Sequence, residues 1–153
     1  MKRFALLAVA VLAVAFAPCA SAQISVKEHI SSKTLKSIRL GYVKVTQTTD
    51  GDVSVFSLVL RSTNDYEGPL IVHLGKNAKQ AAETMNGIVS LFDVIDKGVT
   101  SFTTPDKKEH SVTRGMSGNM YFLPDHKAGD FIMGKGEAKK CAEALEKAAQ
   151  EQK

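Results

Sequence analysis

The chain has 153 residues, a formal net charge of +4, 24% charged residues and 44% hydrophobic residues. This length and composition fit one globular domain with its own hydrophobic core and exclude a fibrous or disordered chain. Two cysteines are too few for a disulfide-stapled scaffold. No basic stripe with interleaved aromatic residues is present, so no nucleic-acid partner is predicted.

The first residues have the pattern of a signal peptide. Two basic residues precede an apolar run at 4–17, and small residues at 20–22 follow it, as a signal peptidase requires. Pro18 interrupts the run before it reaches the roughly 18 to 20 apolar residues that a membrane-spanning helix needs. The sequence therefore predicts a signal peptide at 1–22, no transmembrane span in the mature chain, and an exported product that is periplasmic or extracellular.

Cys19 raises a second possibility, cleavage before this cysteine and lipidation of its side chain. The preceding residues 16–18 resemble a lipoprotein cleavage box only poorly, so soluble export is the preferred interpretation. Loss of the leader removes Lys2 and Arg3 and lowers the net charge to +2. It also leaves Cys141 as the one cysteine of the mature chain, which excludes an internal disulfide and makes the fold depend on its hydrophobic core.

Alternating apolar and polar residues between turn-forming segments predict seven strands. Residues 23–35 are polar without a sustained period and are predicted to be a flexible lead-in, so that a single domain spans 36–153. The predicted strands lie near residues 36–45, 53–61, 70–74, 99–104, 109–114, 119–123 and 130–133.

Two segments have the 3.6-residue period of an amphipathic helix. The first is predicted to begin at the N-cap Asn77 and to end near Lys97. Gly87 lies inside it and costs about 1 kcal/mol relative to alanine, so we expect close approach to a strand to compensate. The second helix, at 137–150, has a narrow face of small residues that includes Cys141. This position predicts a buried thiol and not a nucleophile.

The order of elements is βββαββββα, which predicts an α+β domain. We expect a curved, mainly antiparallel seven-stranded sheet with both helices on one face. From residue 70 onward, one strand, a helix, four strands and a closing helix resemble the topology of TATA-binding-protein-like domains. That resemblance implies an architecture and carries over no DNA binding. A pleckstrin-homology-like barrel with the first helix inserted is the alternative.

A short repeat links the two helices. The segments AKQAAE at 78–83 and AKKCAE at 138–143 match with a constant offset of 60 residues. Duplication of a strands-then-helix unit predicts that the two helices are related by a pseudo-twofold axis. The competing explanation is that alanine, lysine and glutamate are common in any exposed helix.

No catalytic, metal-binding or phosphate-binding motif follows the leader, and the sequence predicts neither a metal site nor a cofactor. One hypothesis is a non-catalytic binding or interaction domain with a protein, peptide or lipid partner. The alternative is a small exported hydrolase with a dispersed site. Either hypothesis draws its candidate ligand contacts from the same residues: His73, His110, Arg114 and Asp125. Two of them within hydrogen-bond reach in one concave pocket would favour the hydrolase.

The mass of the mature chain tests the prediction that the signal peptide is cleaved. We expect mass spectrometry of the exported chain to give the mass of residues 23–153, because cleavage is predicted after Ala22. A chain that begins at Cys19 and carries acyl groups would establish lipidation instead, and a chain that retains the leader would contradict cleavage altogether.

Overall fold

A computed structural model describes residues 30–64, 66–96, 98–124 and 131–152. The predicted leader, residues 23–29 and the candidate Asp125 lie outside the described residues. No helix in the described part is long and apolar enough to cross a membrane. The strands are β1 (Ile30–Ile38), β2 (Val43–Asp50), β3 (Val53–Leu60), β4 (Leu70–Gly75), β5 (Val99–Thr103), β6 (Glu109–Arg114), β7 (Met120–Leu123) and β8 (Phe131–Met133), and the helices are α1 (Ala78–Val94) and α2 (Lys135–Glu151).

The α+β class, the two helices and the antiparallel pairing are confirmed. The strands, however, form two four-stranded sheets, ordered β1-β2-β3-β4 and β5-β6-β7-β8. The single seven-stranded sheet is therefore wrong, and neither the TATA-binding-protein-like architecture nor the pleckstrin-homology-like barrel is confirmed. The 17 residues of α1 span roughly 25 Å between the last strand of the first sheet and the first strand of the second.

The predicted single strand at 36–45 is wrong, because the chain turns at Arg39–Gly41 and the residues on either side belong to two antiparallel strands. The predicted lead-in supplies most of the additional strand. Residues 30–35 form the first part of β1, which pairs with β2 from Ile30 opposite Asp50 to Ile38 opposite Val43. Most side chains of β1 are exposed, so the strand lacks the apolar alternation on which the prediction relied. Backbone hydrogen bonds to β2 hold it as an edge strand.

The core lies between the helices and the inner faces of the sheets. Both helices pack against the first sheet, with α1 over β3 and β4, and α2 over β1 and β2. The predicted cap of α1 is confirmed, because the Asn77 side chain accepts a hydrogen bond of 2.9 Å from the Gln80 amide. The largest fully buried side chains come from both halves of the chain and include Phe56, Phe122, Leu58, Leu60, Leu74, Met85 and Leu145.

The two halves repeat the same unit, a four-stranded meander followed by a 17-residue helix. Asn86 Nδ2 donates to Glu146 Oε1 at 2.8 Å, and these residues are 60 positions apart. Lys135, at the start of α2, pairs with Asp93 near the end of α1, so the helices are antiparallel. Five of the six buried positions of α1 recur in α2 at the same offset of 60: 78, 81, 82, 85 and 88 against 138, 141, 142, 145 and 148. This arrangement agrees with the pseudo-twofold relation that a duplicated unit predicts.

Cys141 lies in this helix contact and is fully buried. Burial, reinforced by the nearby Glu137 carboxylate, raises the pKa of its thiol to about 12. A thiol in this environment stays protonated and unreactive at neutral pH. The predicted burial of Cys141 is confirmed.

We therefore expect Cys141 to react with a thiol reagent only when the whole domain unfolds. Labelling in increasing urea should follow the loss of helical circular dichroism. Cys141→Ala should lower the free energy of unfolding by about 1 kcal/mol, and Cys141→Leu by about 1 to 3 kcal/mol, because added methylenes separate the helices. Rapid labelling of the native chain would contradict this account.

Candidate functional site

A cleft separates α1 from β5. This α1–β5 cleft has a volume of about 500 Å³. Four consecutive residues of the second sheet and its turn, 102–105, line it together, which places the cleft at the edge of the strand and not on one face. Within the described residues β5 pairs only with β6, which leaves its other edge free. On the helix side the cleft is lined by Gln80, Glu83, Thr84, Gly87, Ile88 and Leu91.

Gly87 is the unexpected member of this lining. A Cβ placed on it would meet no atom within 4 Å, so the close approach to a strand predicted from the sequence is wrong. The glycine still costs the helix about 1 kcal/mol relative to alanine. No packing within the described chain requires it, and its bare backbone widens the cleft.

The cleft has an apolar floor and a polar rim. Ile88 is buried, and Leu91 and Phe102 are half-buried and packed against the core. Thr84 donates its hydroxyl proton to the Gln80 carbonyl at 2.9 Å within the helix. Glu83 is exposed on the same side of α1 and makes no ion pair within the described residues. Such a surface accepts an apolar side chain below and a cationic one at its rim.

A second cavity continues the cleft past Pro105. This end pocket has a volume of about 430 Å³ and shares Gln80 and Pro105 with the cleft. Its other lining residues come from the first sheet, from the β4–α1 connection and from the β5–β6 turn: Val55, His73, Gly75, Lys76 and Asp106.

Hydrogen bonds hold the β5–β6 turn over the end pocket. The Thr104 hydroxyl lies 2.5 Å from Asp106 Oδ1 and 2.9 Å from the Lys108 carbonyl. The Thr104 amide also donates to the Lys108 carbonyl at 3.0 Å. Partial burial by itself raises the pKa of Asp106. The hydrogen bonds from Thr104 and from the Lys108 amide, together with nearby His73, outweigh that effect and lower the pKa below its ordinary value.

His110 lies on β6 opposite Phe102 and lines a separate cavity with Leu70 and Phe122. Its ring stacks on Phe102 with the centroids 5.4 Å apart, and 6% of the residue is exposed. Its Nε2 atom has no hydrogen-bond partner in the described structure. Burial, followed by the positive charge of Lys108, lowers the pKa of His110, and Asp106 opposes the shift only in part. The imidazole is therefore neutral at physiological pH.

The structure brings only part of the predicted site together. His73 and His110 both lie close enough to Asp106 for their charges to interact, but His73 contacts Ser57, with 3.4 Å between Nδ1 and Oγ. Arg114 is four residues along β6 from His110, roughly 13 Å away, and lines a separate pocket with Asp96 and Met116. Within the described residues no hydrogen bond joins any two of the candidates.

Sequence reasoning missed the residues that form the cleft. Periodicity places Ile88 on the buried face of a helix and Phe102 in a strand, and neither placement indicates a cleft. Gly87 was the one available signal, since a glycine inside a helix needs a reason. Among the described residues, no group of three or more histidine, cysteine, aspartate or glutamate side chains lies where it could hold a metal ion.

Comparison of the chain with family models, with curated proteins and with solved structures found no match.

His110 makes a pH-dependent contribution to stability. Because its pKa is lower in the folded chain, the unfolded chain takes up a proton first as the pH falls below about 6.5, and the folded state loses stability. We expect His110→Phe to keep the ring stack and remove this loss, so that its free energy of unfolding changes less than that of the wild type between about pH 7.5 and pH 5.

Urea unfolding at several pH values measures this difference. At about pH 7.5 the variant should be at least as stable as the wild type, because the unpartnered Nε2 is gone. Parallel stability curves for the two proteins would show that His110 is not the group that titrates.

Proposed function

We propose that the chain is an exported, non-catalytic binding domain that takes an extended peptide segment of a partner protein into the α1–β5 cleft. The observation that carries the proposal is the free edge of β5, which opens onto a cleft with an apolar floor. A peptide added to this edge would make backbone hydrogen bonds with β5 and place alternate side chains towards α1. The signal-like leader supports export.

The composition of β5 supports this assignment. An edge strand is ordinarily protected by lysine, proline or a bulge, because unpaired backbone groups attract other strands. The edge strand β1 has two lysines and a bulge between Thr34 and Lys36. In contrast, β5 has the sequence VTSFT, with no charge, no proline and an exposed Val99. The edge next to the cleft is the less protected of the two.

The dimensions and charge of the cleft define the partner. The five residues of β5 span roughly 16 Å, which accommodates about five residues of an added strand. Alternate apolar side chains would contact Ile88, Leu91 and Phe102, while the others remain in solvent. Glu83 at the rim favours a lysine or arginine in the peptide. We therefore expect an extended segment with alternating apolar residues and a net positive charge.

The open cleft explains why α1 has a glycine at position 87. A side chain at this position points into the cleft and competes with the peptide. Alanine or leucine would stabilise the helix by about 1 kcal/mol, and nothing within 4 Å would obstruct it. Gly87 therefore lowers the stability of the helix and keeps the cleft open.

Gly87→Leu tests the proposal. Peptides selected from a displayed random library on the wild-type chain should bind Gly87→Leu at least about tenfold more weakly, because the leucine fills the cleft and displaces at least one apolar contact. Fluorescence anisotropy of a labelled selected peptide measures the affinity. The variant should unfold at the same or a higher urea concentration, which separates a blocked cleft from a damaged fold.

Gly136→Leu is the matched control. Gly136 is also helical, and a Cβ on it would meet no atom within 4 Å, but it lies in α2 outside the lining of the cleft. We expect this variant to bind the selected peptide as the wild type does. Equal affinity of Gly87→Leu and Gly136→Leu for the peptide would exclude the cleft as its site.

A further inference from the structure

The four most exposed large apolar side chains of the described structure lie on three connections and on the last residue of α1, where a fourth connection begins. Leu40 is on the β1–β2 connection, Tyr66 is between β3 and β4, Val94 ends α1, and Met116 is in the β6–β7 turn. Their exposed fractions are 102%, 98%, 74% and 110%. Single exposed apolar residues are normal, but this distribution gives each of these connections one apolar tip.

Topology places all four tips at one end of the molecule. In an antiparallel meander, alternate connections lie at the same end, and this relation brings Leu40 and Tyr66 together. The pairing of Lys135 with Asp93 joins the start of α2 to the end of α1, beside Val94. We call this surface the loop end.

Contacts around the start of α2 place the β1–β2 connection and the β6–β7 turn at this same end. Arg39 Nε lies 3.4 Å from Glu137 Oε1, next to Leu40. The Gly134 amide donates to Glu137 Oε2 at 2.8 Å, and a Cβ on Gly134 would lie 3.3 Å from Asn119 Oδ1 in the β6–β7 turn. Met116 and Leu40 therefore flank the N-terminus of α2.

Leu40 is held in an unfavourable backbone conformation. Its φ and ψ are 53° and 28°, and the preceding Arg39 has a φ of 50°. The left-handed region disfavours a side chain with a Cβ, and glycine or asparagine usually occupies it. Because Leu40 is fully exposed, no packing within the described chain compensates for the strain. Strain of this kind at a defined position points to a function for the side chain.

Cations lie beside the tips. Arg39 precedes Leu40, Arg114 is two residues before Met116, and Lys135 lies next to the end of α1. The guanidinium group of Arg39 lies 5.7 Å from the centre of the Tyr42 ring, which orients it close to the tip. The carboxylates of Asp93 and Glu137 pair with Lys135 and Arg39 and offset their charges. Lys44 adds a cation that makes no ion pair within the described residues, and its Nζ would lie 3.3 Å from a Cβ on Gly41, next to Leu40.

We propose that the loop end docks on the surface of a lipid bilayer, independently of the cleft, with Leu40 and Met116 entering the acyl-chain boundary. Apolar tips on separate loops with polar residues between them do not form the continuous patch that a protein interface buries at its centre. A bilayer accepts separate apolar groups at one depth. The long side chains of the cations reach lipid phosphates, and Tyr66 suits the headgroup level.

Vesicle sedimentation tests the proposal. The processed chain should sediment with vesicles of phosphatidylcholine containing a minority of phosphatidylglycerol, and more weakly with phosphatidylcholine alone, because the cations contribute. Leu40→Ser with Met116→Ser should lower the partition coefficient about a hundredfold, since each apolar side chain contributes about a factor of ten. The control, Ile30→Ser with Val53→Ser, removes two other exposed apolar side chains away from the loop end and should change the partition coefficient less than about twofold.

Leu40→Gly separates the strain from the binding. Glycine adopts the left-handed conformation without cost, so the variant should resist urea better than the wild type and yet bind vesicles about tenfold more weakly. Gly87→Leu should bind vesicles as the wild type does, because the cleft is not involved. A wild-type chain that stays in the supernatant with both vesicles would overturn the proposal, as would a double tip variant that sediments as the wild type does.

Discussion

The close antiparallel contact between α1 and α2 is the constraint on which the rest of the structure depends. The two helices contact each other more extensively than either contacts any strand. Small buried side chains permit this approach, because helix axes come nearer when no large side chain separates them. They repeat in the two helices: Ala78, Ala81 and Ala82 in α1, and Ala138, Cys141 and Ala142 in α2. Each helix follows the last strand of its own sheet, so this contact also positions the two sheets.

The pair of helices is not placed symmetrically between the sheets, and the cleft results from that asymmetry. Both helices approach the first sheet closely, whereas the second sheet completes the core with longer side chains such as Phe122, Phe131 and Met133. On one side α2 contacts β1 directly, and Leu35 and Ile38 pack against the core there. On the other side α1 and β5 remain apart. The two repeated units thus differ in one contact: the α2–β1 contact is closed, and α1 and β5 are separated by the cleft.

Two departures from local preference coincide with the two proposed surfaces. Gly87 weakens the helix that forms one wall of the cleft, and Leu40 occupies a backbone conformation unfavourable to leucine at the loop end. A sequence selected for stability alone would replace both residues. His110 is a third departure, because its buried Nε2 lacks a partner. Its ring contributes to the stack with Phe102, while its titration makes stability depend on pH.

The sequence by itself determined the elements whose signal is local. Apolar alternation marked the six strands from β3 to β8, and the 3.6-residue period marked both helices, because each period reports which face of a segment is buried. Asn77 marked a helix start because its side chain caps the first free amides. The sequence did not show the turn at Arg39–Gly41, and it merged the end of β1 with the start of β2 into one predicted strand at 36–45. It missed the first part of β1, whose polar residues are held by pairing with a strand that lies later in the chain. The division into two sheets was also beyond local reading, since strand partners are chosen by contacts between distant residues.

The candidate site depended on tertiary structure still more strongly. His73 and His110 come near Asp106 only because the β5–β6 turn folds over the edge of the first sheet, and Arg114 is removed from them by the length of its strand. Gly87 was visible as an anomaly, but its open surroundings were not. A cleft forms where two elements pack at a distance from each other. Sequence periodicity shows which face of each element is buried, but it does not specify the distance between the elements.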